Sequence, residues 1–329
     1  MKKLSIILMI FIALTGCSNP IKNEEAKVVV EPGTAVVEET QEAELDPAEV
    51  NTEITKIPVD KNDLYGFYVG YFEQDVKKES EKKTLDNDAG FYWNKENKIN
   101  ISIDEIQDTV VIGHSVVAGN DRPFKGTVLK SVSQKDGSDI YTFSVREPGN
   151  DRYDGEFNFR IENGRMIGKW EAYKNINIKK RKYNLEKKFF KYDPKITLEY
   201  NTYVDWTKTI DQEIVIEEDG KEIDSWIETE FASATGQIYE VNASTDLLDK
   251  NLVANFKKGD LTIIRNTIYA RHGYSFRNLP LRVFFDAQDW YIPVHADIKA
   301  DFTDIEKKNI ELLLSFEENA AEYYDRFGR

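Results

Sequence analysis

Gly155-Glu156-Phe157-Asn158-Phe159-Arg160-Ile161-Glu162-Asn163-Gly164-Arg165-Met166-Ile167-Gly168-Lys169-Trp170 consists of two runs joined by a dipeptide made for turning. Phe157 and Phe159 alternate with Asn158 and Arg160. That period of two sends one set of side chains to a buried face and the other to water, as in a half-buried antiparallel strand. Asn163 and Gly164 both tolerate positive φ, so the pair predicts a two-residue hairpin whose twist suits the flanking strands.

The same grammar extends in both directions. Strand-like runs are predicted at 65–72, 98–103, 108–117, 125–133, 140–145, 155–161, 166–173 and 183–190. Turn signals separate them: Gly119-Asn120-Asp121, Asp136-Gly137 and Pro148-Gly149-Asn150. Six to eight sequential strands with short turns predict an antiparallel β domain over residues 63–192, a barrel or a sandwich. Gly66-Phe67-Tyr68-Val69-Gly70 and Gly168-Lys169-Trp170 resemble lipocalin-like barrels over two short stretches. Within this region 113–126 reads as a strand, a tight loop and a second strand; His114 and Ser115, being adjacent, point to opposite faces and form no nucleophile–base pair. The basic run Lys179-Lys180-Arg181-Lys182 reads as a solvated strand or turn.

Residues 193–243 hold further strand-like runs at 196–206, 213–217, 222–231 and 237–241 with an Asp219-Gly220 turn, either extending the sheet or forming a small subdomain. From 244 the period changes. Ser244-Thr245-Asp246 offers a helix N-cap, Leu247, Leu248, Leu252 and Phe256 form an apolar stripe, and Gly259 is a stop. Asp260 is expected to cap a second helix running to about His272, ended by Gly273. Thr303-Asp304-Ile305-Glu306 has the form of a capping box and opens a helix of some twenty residues, with Ile305, Leu312, Leu313, Phe316 and Ala320 spaced for its buried side. The fold class is therefore α+β, an antiparallel β domain followed by a small helical domain over 244–329.

On the second predicted helix Arg265, Tyr269 and His272 project from one face, and Arg271 lies some 120° from Arg265. Two readings stay open. The face is a buried hydrogen-bonded network, in which Arg265 is structural and Arg271 faces solvent; or Arg265, Tyr269, Arg271, His272, Trp290 and Tyr291 line a groove where guanidinium groups grip carboxylates and aromatic faces stack on sugar rings. The segment 265–273, with Phe276, Trp290-Tyr291 and 305–310, resembles the YARHG domain, named for the five residues at 269–273. The resemblance covers about 245–317. It implies a module of bacterial envelope proteins suspected of binding cell-wall material, with no established chemistry.

The N-terminus supplies an address. Lys2 and Lys3 precede an apolar run from Leu4 to Leu14, too short to span a bilayer, and Leu14-Thr15-Gly16-Cys17 closes it. The tetrad resembles the bacterial lipobox, which implies that residues 1–16 are a signal peptide and that Cys17 is lipidated and becomes the mature N-terminus. Residues 18–63 hold twelve acids and four lysines, and up to residue 62 there is no aromatic residue, so 17–62 reads as an acylated, disordered acidic tether. Lys22-Asn23-Glu24-Glu25 resembles acidic signals that export lipoproteins to the outer face of an outer membrane, and plain solvating charge accounts for it at least as well. The expected location is the cell envelope, lipid-anchored, with the outer membrane ahead of the inner and the periplasmic and surface-exposed faces both open.

Composition narrows the chemistry. A net charge of −15 gives no global electrostatic drive toward nucleic acid. Cys17 is the single cysteine, so no thiol is left for a disulfide or a nucleophile. Three histidines without an HExxH spacing, and 59 acids that single out no pair, assign no catalytic residue, no metal and no cofactor. Expected partners are the membrane, through the acyl chains, and peptidoglycan or other envelope proteins. The function expected is non-enzymatic binding or scaffolding with cell-wall glycan or peptide as ligand; a lipocalin-like carrier of a small apolar molecule and an envelope hydrolase are the alternatives.

Overall fold

A computed structural model describes residues 64–86, 91–297 and 302–323. The expected signal peptide, Cys17 and tether lie outside them. The strands are β1 Gly66–Gln74, β2 Leu85–Asp86, β3 Tyr92–Trp93, β4 Asn97–Gln107, β5 Val110–Val117, β6 Asn120–Val132, β7 Asp139–Arg146, β8 Gly155–Glu162, β9 Arg165–Ala172, β10 Lys180–Lys188, β11 Val204–Glu218 and β12 Lys221–Ser233. The helices are α1 Lys250–Val253, α2 Lys258–Arg271, α3 Leu279–Asp286 and α4 Asp304–Tyr323.

The eight predicted runs become the eight staves of a closed antiparallel barrel, ordered β1-β10-β9-β8-β7-β6-β5-β4. Closure pairs every edge, which a sandwich would leave open. The opening hairpin forms as expected: Asn163 and Gly164 have φ of 50° and 73°, and Phe157 stands opposite Trp170. The second tight turn, Ala118-Gly119, has φ of 54° and 73° between β5 and β6.

Alternation decides the barrel's two faces. Ile99, Ile101, Val128, Phe143, Phe157, Phe159, Met166 and Leu185 are buried in one core cluster, while Arg160, Lys169 and Glu186 lie outside. An apolar interior and a charged exterior are the reverse of what a lipid-embedded barrel needs. Among the described residues no helix is long and apolar enough to cross a membrane. Large rings fill the interior where glycine makes room: a Cβ on Gly113 would fall 2.6 Å from the Phe124 ring, and one on Gly155 would fall 2.5 Å from Trp170 Nε1.

The region after the barrel departs from the sequence expectation. β11 and β12 pair only with each other, as a hairpin turning at Asp219-Gly220. They do not extend the sheet, because a closed barrel offers no edge to accept them. The run at 237–241 is replaced by a 3-10 turn, Gly236–Tyr239. The small ladder β2–β3 had no readable signal, since two-residue strands have no period.

The helical part is also re-punctuated. α1 is one short turn capped by Asp249, whose side chain accepts the Asn251 and Leu252 N–H groups; Leu247 and Leu252, expected to be buried, are exposed. Gly259 sits inside the first turn of α2 instead of stopping α1, and Asp260 accepts the Lys257 N–H from within the helix. Asp260 also takes the Thr235 N–H at 2.6 Å, fastening α2 to the end of β12. At α4 the capping box is present: Thr303 N donates to Glu306 Oε2 at 2.9 Å and Glu306 N to Thr303 Oγ1 at 3.2 Å. Of its expected buried side, Leu313 is in the core and Leu312 and Phe316 pack against it, Ile305 is exposed, and Ala320 lies outside the side chains described; Glu306 and Asn309 complete the inner face.

The segment around α3 docks on the outer wall of β1, β4 and β5. Val69 packs with Ile292 and Val294. Lys98 donates through its backbone N–H to Asp286 Oδ2 (2.8 Å) and through Nζ to the Gln288 carbonyl (2.6 Å). The β5–β6 turn is pinned on both sides, Gly119 N to Ser275 Oγ at 2.9 Å and Arg277 Nε to Gly119 O at 2.8 Å. These contacts hold α3 over one end of the barrel.

Candidate functional site

The helix face singled out by the sequence is mostly interior. His272 is 6% exposed and pairs through Nε2 with Glu306 Oε2 at 2.9 Å; Tyr192 donates its hydroxyl to Glu306 Oε1 at 3.0 Å and stacks on the imidazole with ring centres 4.1 Å apart. Burial alone would push the Glu306 carboxyl up, but the hydrogen bonds from His272 and the Thr303 N–H outweigh it and hold it at about 2. Tyr291 is 1% exposed and donates to the Tyr274 carbonyl at 2.6 Å.

The two arginines exchange the places expected of them. Arg271, expected to face solvent, is 4% exposed and donates from Nε to the Ile196 carbonyl (2.9 Å) and from Nη1 to Ser244 Oγ (3.0 Å). Burial pushes its guanidinium down to about 10. The 196–203 connector has folded back over α2, and no helical period could announce that. Arg265 is half-buried and makes a bidentate pair with Glu317, at 3.0 and 2.9 Å. Polar partners on α4 thus answer the motif residues on α2: Glu306 for His272, Glu317 for Arg265. This is a satisfied network that fixes how two helices cross. What remains open to a ligand is a groove of about 620 Å³ along Arg265, Asn266, Tyr269, Tyr274 and Arg277. Trp290 is half-buried, and its Nε1 is buried without a hydrogen-bond partner.

His114 meets a serine after all, though not Ser115. On the outer wall, Ser102 Oγ and Asp104 Oδ2 both approach His114 Nδ1, at 2.9 and 2.8 Å, and Ser102 Oγ also donates to Asp104 Oδ1 at 2.8 Å. Ser102 Oγ lies within reach of both ring nitrogens, 2.9 Å from Nδ1 and 3.3 Å from Nε2, but it donates to Asp104 and is 3% exposed, so it does not face a substrate. The hydrogen bond to Asp104 raises the His114 pKa against the opposing effect of burial. Among the described residues no three His, Cys, Asp or Glu side chains stand together for a metal.

The constellation that the sequence did not disclose is at the barrel mouth under α3. Staves contribute from their ends there: Phe72 from β1, Asn97 from β4, Ser115 from β5, Phe157 from β8, Trp170 from β9 and Arg181 from β10, with Glu147 just past β7. Together with Ile176, Ile178 and the α3 residue Arg282 they enclose a pocket of about 360 Å³. The floor is aromatic, with Phe72 and Trp170 edge to face at 5.5 Å. The far end of the barrel is packed with Leu64, Ile103, Ile106 and Val111, so the cup has one mouth.

Glu147 is the buried acid of this site. Oε2 accepts the Gly155 N–H at 2.7 Å and Trp170 Nε1–H at 3.2 Å, and Oε1 accepts from Ser115 Oγ at 3.3 Å. Burial outweighs these bonds and pushes its carboxyl up to about 7. Arg181 points inward beside Tyr183 and Leu185, contrary to the solvated reading of the 179–182 run. Its Nη1 donates to the Phe72 and Lys95 carbonyls at 2.5 and 3.1 Å. A wider concavity of about 830 Å³ lies against the barrel wall, lined partly by Thr127, Thr142, Ser144 and Asn158 and bringing no buried acid or arginine together.

An eight-stranded up-and-down barrel with one open mouth, braced by a small helical domain, makes this an α+β protein whose β domain is compatible with a binding role. Residues 237–318 match the YARHG domain, so the C-terminal resemblance holds and extends a few residues further toward the N-terminus than the motif itself. That match suits an extracellular or periplasmic protein. No curated protein and no solved structure matches the chain.

Proposed function

We propose that this is a non-enzymatic binding protein, held in the cell envelope by a lipid on Cys17, whose barrel is a cup for a small, largely apolar molecule. The observation that carries the reading is the one-mouthed pocket of about 360 Å³, floored by Phe72, Phe157 and Trp170, within the size range of small-molecule sites. The YARHG helices contribute rim and bracing: α3 lies over the mouth, and the α2–α4 network holds the helical part rigid. The carrier reading thereby moves ahead of cell-wall recognition, because Arg271, His272 and Tyr291 are engaged in the core. Hydrolysis loses ground for a related reason, since His272 has a single, buried carboxylate partner.

Cell-wall glycan or peptide remains a second reading, favoured by the groove of about 620 Å³ where Arg265, Tyr269 and Arg277 stand together. One comparison separates the two. The neutral fluorophore N-phenyl-1-naphthylamine should bind the full chain saturably at one site, and Ile178→Trp, which fills the mouth, should abolish that binding without lowering the melting temperature. Unchanged binding by Ile178→Trp refutes the cup. Co-sedimentation of this variant with purified sacculi, with no fluorophore bound by the wild type, supports the groove instead.

A further inference from the structure

Arg181 and Arg282 reach the same pocket from opposite directions, one from inside the barrel wall and one from α3. Neither meets a carboxylate there. Arg181 donates to the carbonyls of Phe72 and Lys95 and lies over the Phe72 ring, while Arg282 lies over the Trp93 ring with its Nε buried and without a hydrogen-bond partner. Arg122, at the same rim, is different: it is neutralised by Asp151 and Asp154, each at 3.3 Å. Asp286, one turn along α3, attracts Arg282 without forming an ion pair; one of its oxygens is engaged by the Lys98 N–H, and burial favours its neutral form. Asn97 is 7% exposed at the same mouth, and its Oδ1 also lacks a partner.

Two desolvated guanidiniums facing one cavity repel each other, and Asp286 and Glu96 offset their charge only from beyond ion-pair distance, so burying the pair is expensive. Burial, and then the presence of Arg282, push the Arg181 guanidinium down to about 10. The chain does not lack acids that could have relieved this, for it carries 59 of them. An oxyanion supplied from outside would relieve it, because guanidinium forks match carboxylate and phosphate oxygens.

Resting on the cup reading above, we propose that the ligand carries an oxyanion, a carboxylate or a phosphate, seated between Arg181 and Arg282 with its apolar body against Phe72, Phe157 and Trp170. Asn97, whose amide can turn either end inward, is placed to hydrogen-bond the same head group. Glu147 lies on the pocket wall as a neutral acid below about pH 7 and does not oppose an anion there.

Two probes with one body test this. The full chain is titrated with 8-anilinonaphthalene-1-sulfonate and with N-phenyl-1-naphthylamine, which lacks the sulfonate, and each titration is repeated on Arg282→Gln. Charge-assisted bonds predict that the sulfonate binds roughly tenfold or more tighter than the neutral probe in the wild type. In Arg282→Gln the two should come within about threefold of each other, as expected when such a bond is lost. The melting temperature of Arg282→Gln, read alongside, reports an intact fold. Displacement of the sulfonate by decanoate or by decyl phosphate, at concentrations roughly tenfold or more below those needed with decan-1-ol, then says which head group fits. Equal binding of both probes, or a preference that survives Arg282→Gln, overturns the oxyanion while leaving the cup standing. Binding of neither probe overturns both.

Discussion

Glu147→Gln should leave stability nearly unchanged in acid and raise it in alkali. The carboxyl is 5% exposed, and burial lifts it from 4.5 to about 7. Between those values the native state holds a proton that the unfolded chain has released, so unfolding releases a proton and native stability falls as pH rises. The gap corresponds to roughly 3 kcal/mol, absent at about pH 4 and fully expressed above about pH 8. Glutamine keeps the shape and can keep the bonds: its carbonyl can accept from Gly155 N and Trp170 Nε1, and its amide can donate to Ser115 Oγ. Urea unfolding of wild type and variant at a series of pH values gives the difference directly. Asp286, also raised by burial, is common to both proteins and cancels. The variant should match the wild type within about 1 kcal/mol near pH 4.5 and exceed it by roughly 2–3 kcal/mol at pH 8. A pH-independent difference, or one that favours the wild type as pH rises, refutes the reasoning.

The remaining expectations concern the helical domain and the anchor. Arg271→Ala strands the Ile196 carbonyl and Ser244 in the interior and should cost on the order of 3 kcal/mol or more, whereas Arg265→Ala breaks a rim pair with Glu317 and should cost about 1–2 kcal/mol. Chemical denaturation of both ranks them, and the reverse order would contradict the burial assigned to Arg271. Gly259→Ala would place a methyl 2.1 Å from the Ser233 carbonyl oxygen, so its melting temperature should drop by several degrees; an unchanged melt would mean that α2 does not approach β12 so closely. Cys17→Ala should lose detergent-phase partitioning, and partitioning equal to wild type would remove the lipid anchor.

The barrel was legible because its staves obey one local rule. Phe157, Phe159 and Ile161 alternate with polar neighbours, and Asn163-Gly164 turns the chain, so each strand announces itself without knowledge of its partner. Partnership is not local, which is why β11 and β12 could be seen as strands but not as a hairpin standing apart from the barrel. α4 misled for another reason. Its inner face includes, beside Leu313, Leu312 and Phe316, the polar Glu306 and Asn309, both 0% exposed, and a search for apolar periodicity assigns such residues to water. Asn309 accepts the Leu248 N–H and donates to the Ala243 and Asp246 carbonyls, so its burial is satisfied by backbone groups that only the folded chain brings near.

The candidate site was the least legible part. Arg181 stood in a basic run that looked solvated, and only the inward alternation with Tyr183 and Leu185 could have hinted otherwise. Arg282 lies a hundred residues further on, and nothing local connects the two. The motif at 269–273 drew attention to α2, where the conspicuous residue types hold helices together. The cup is made from residues scattered along the staves, each unremarkable alone.

Hydrogen–deuterium exchange of the full chain with and without saturating 8-anilinonaphthalene-1-sulfonate locates the site in one measurement. Slower exchange is expected in peptides covering 113–122, 147–157, 170–182 and 279–286, which ring the barrel mouth, with 263–277 unchanged. Protection of 263–277 with none at the mouth would contradict the assignment of the barrel as the binding domain.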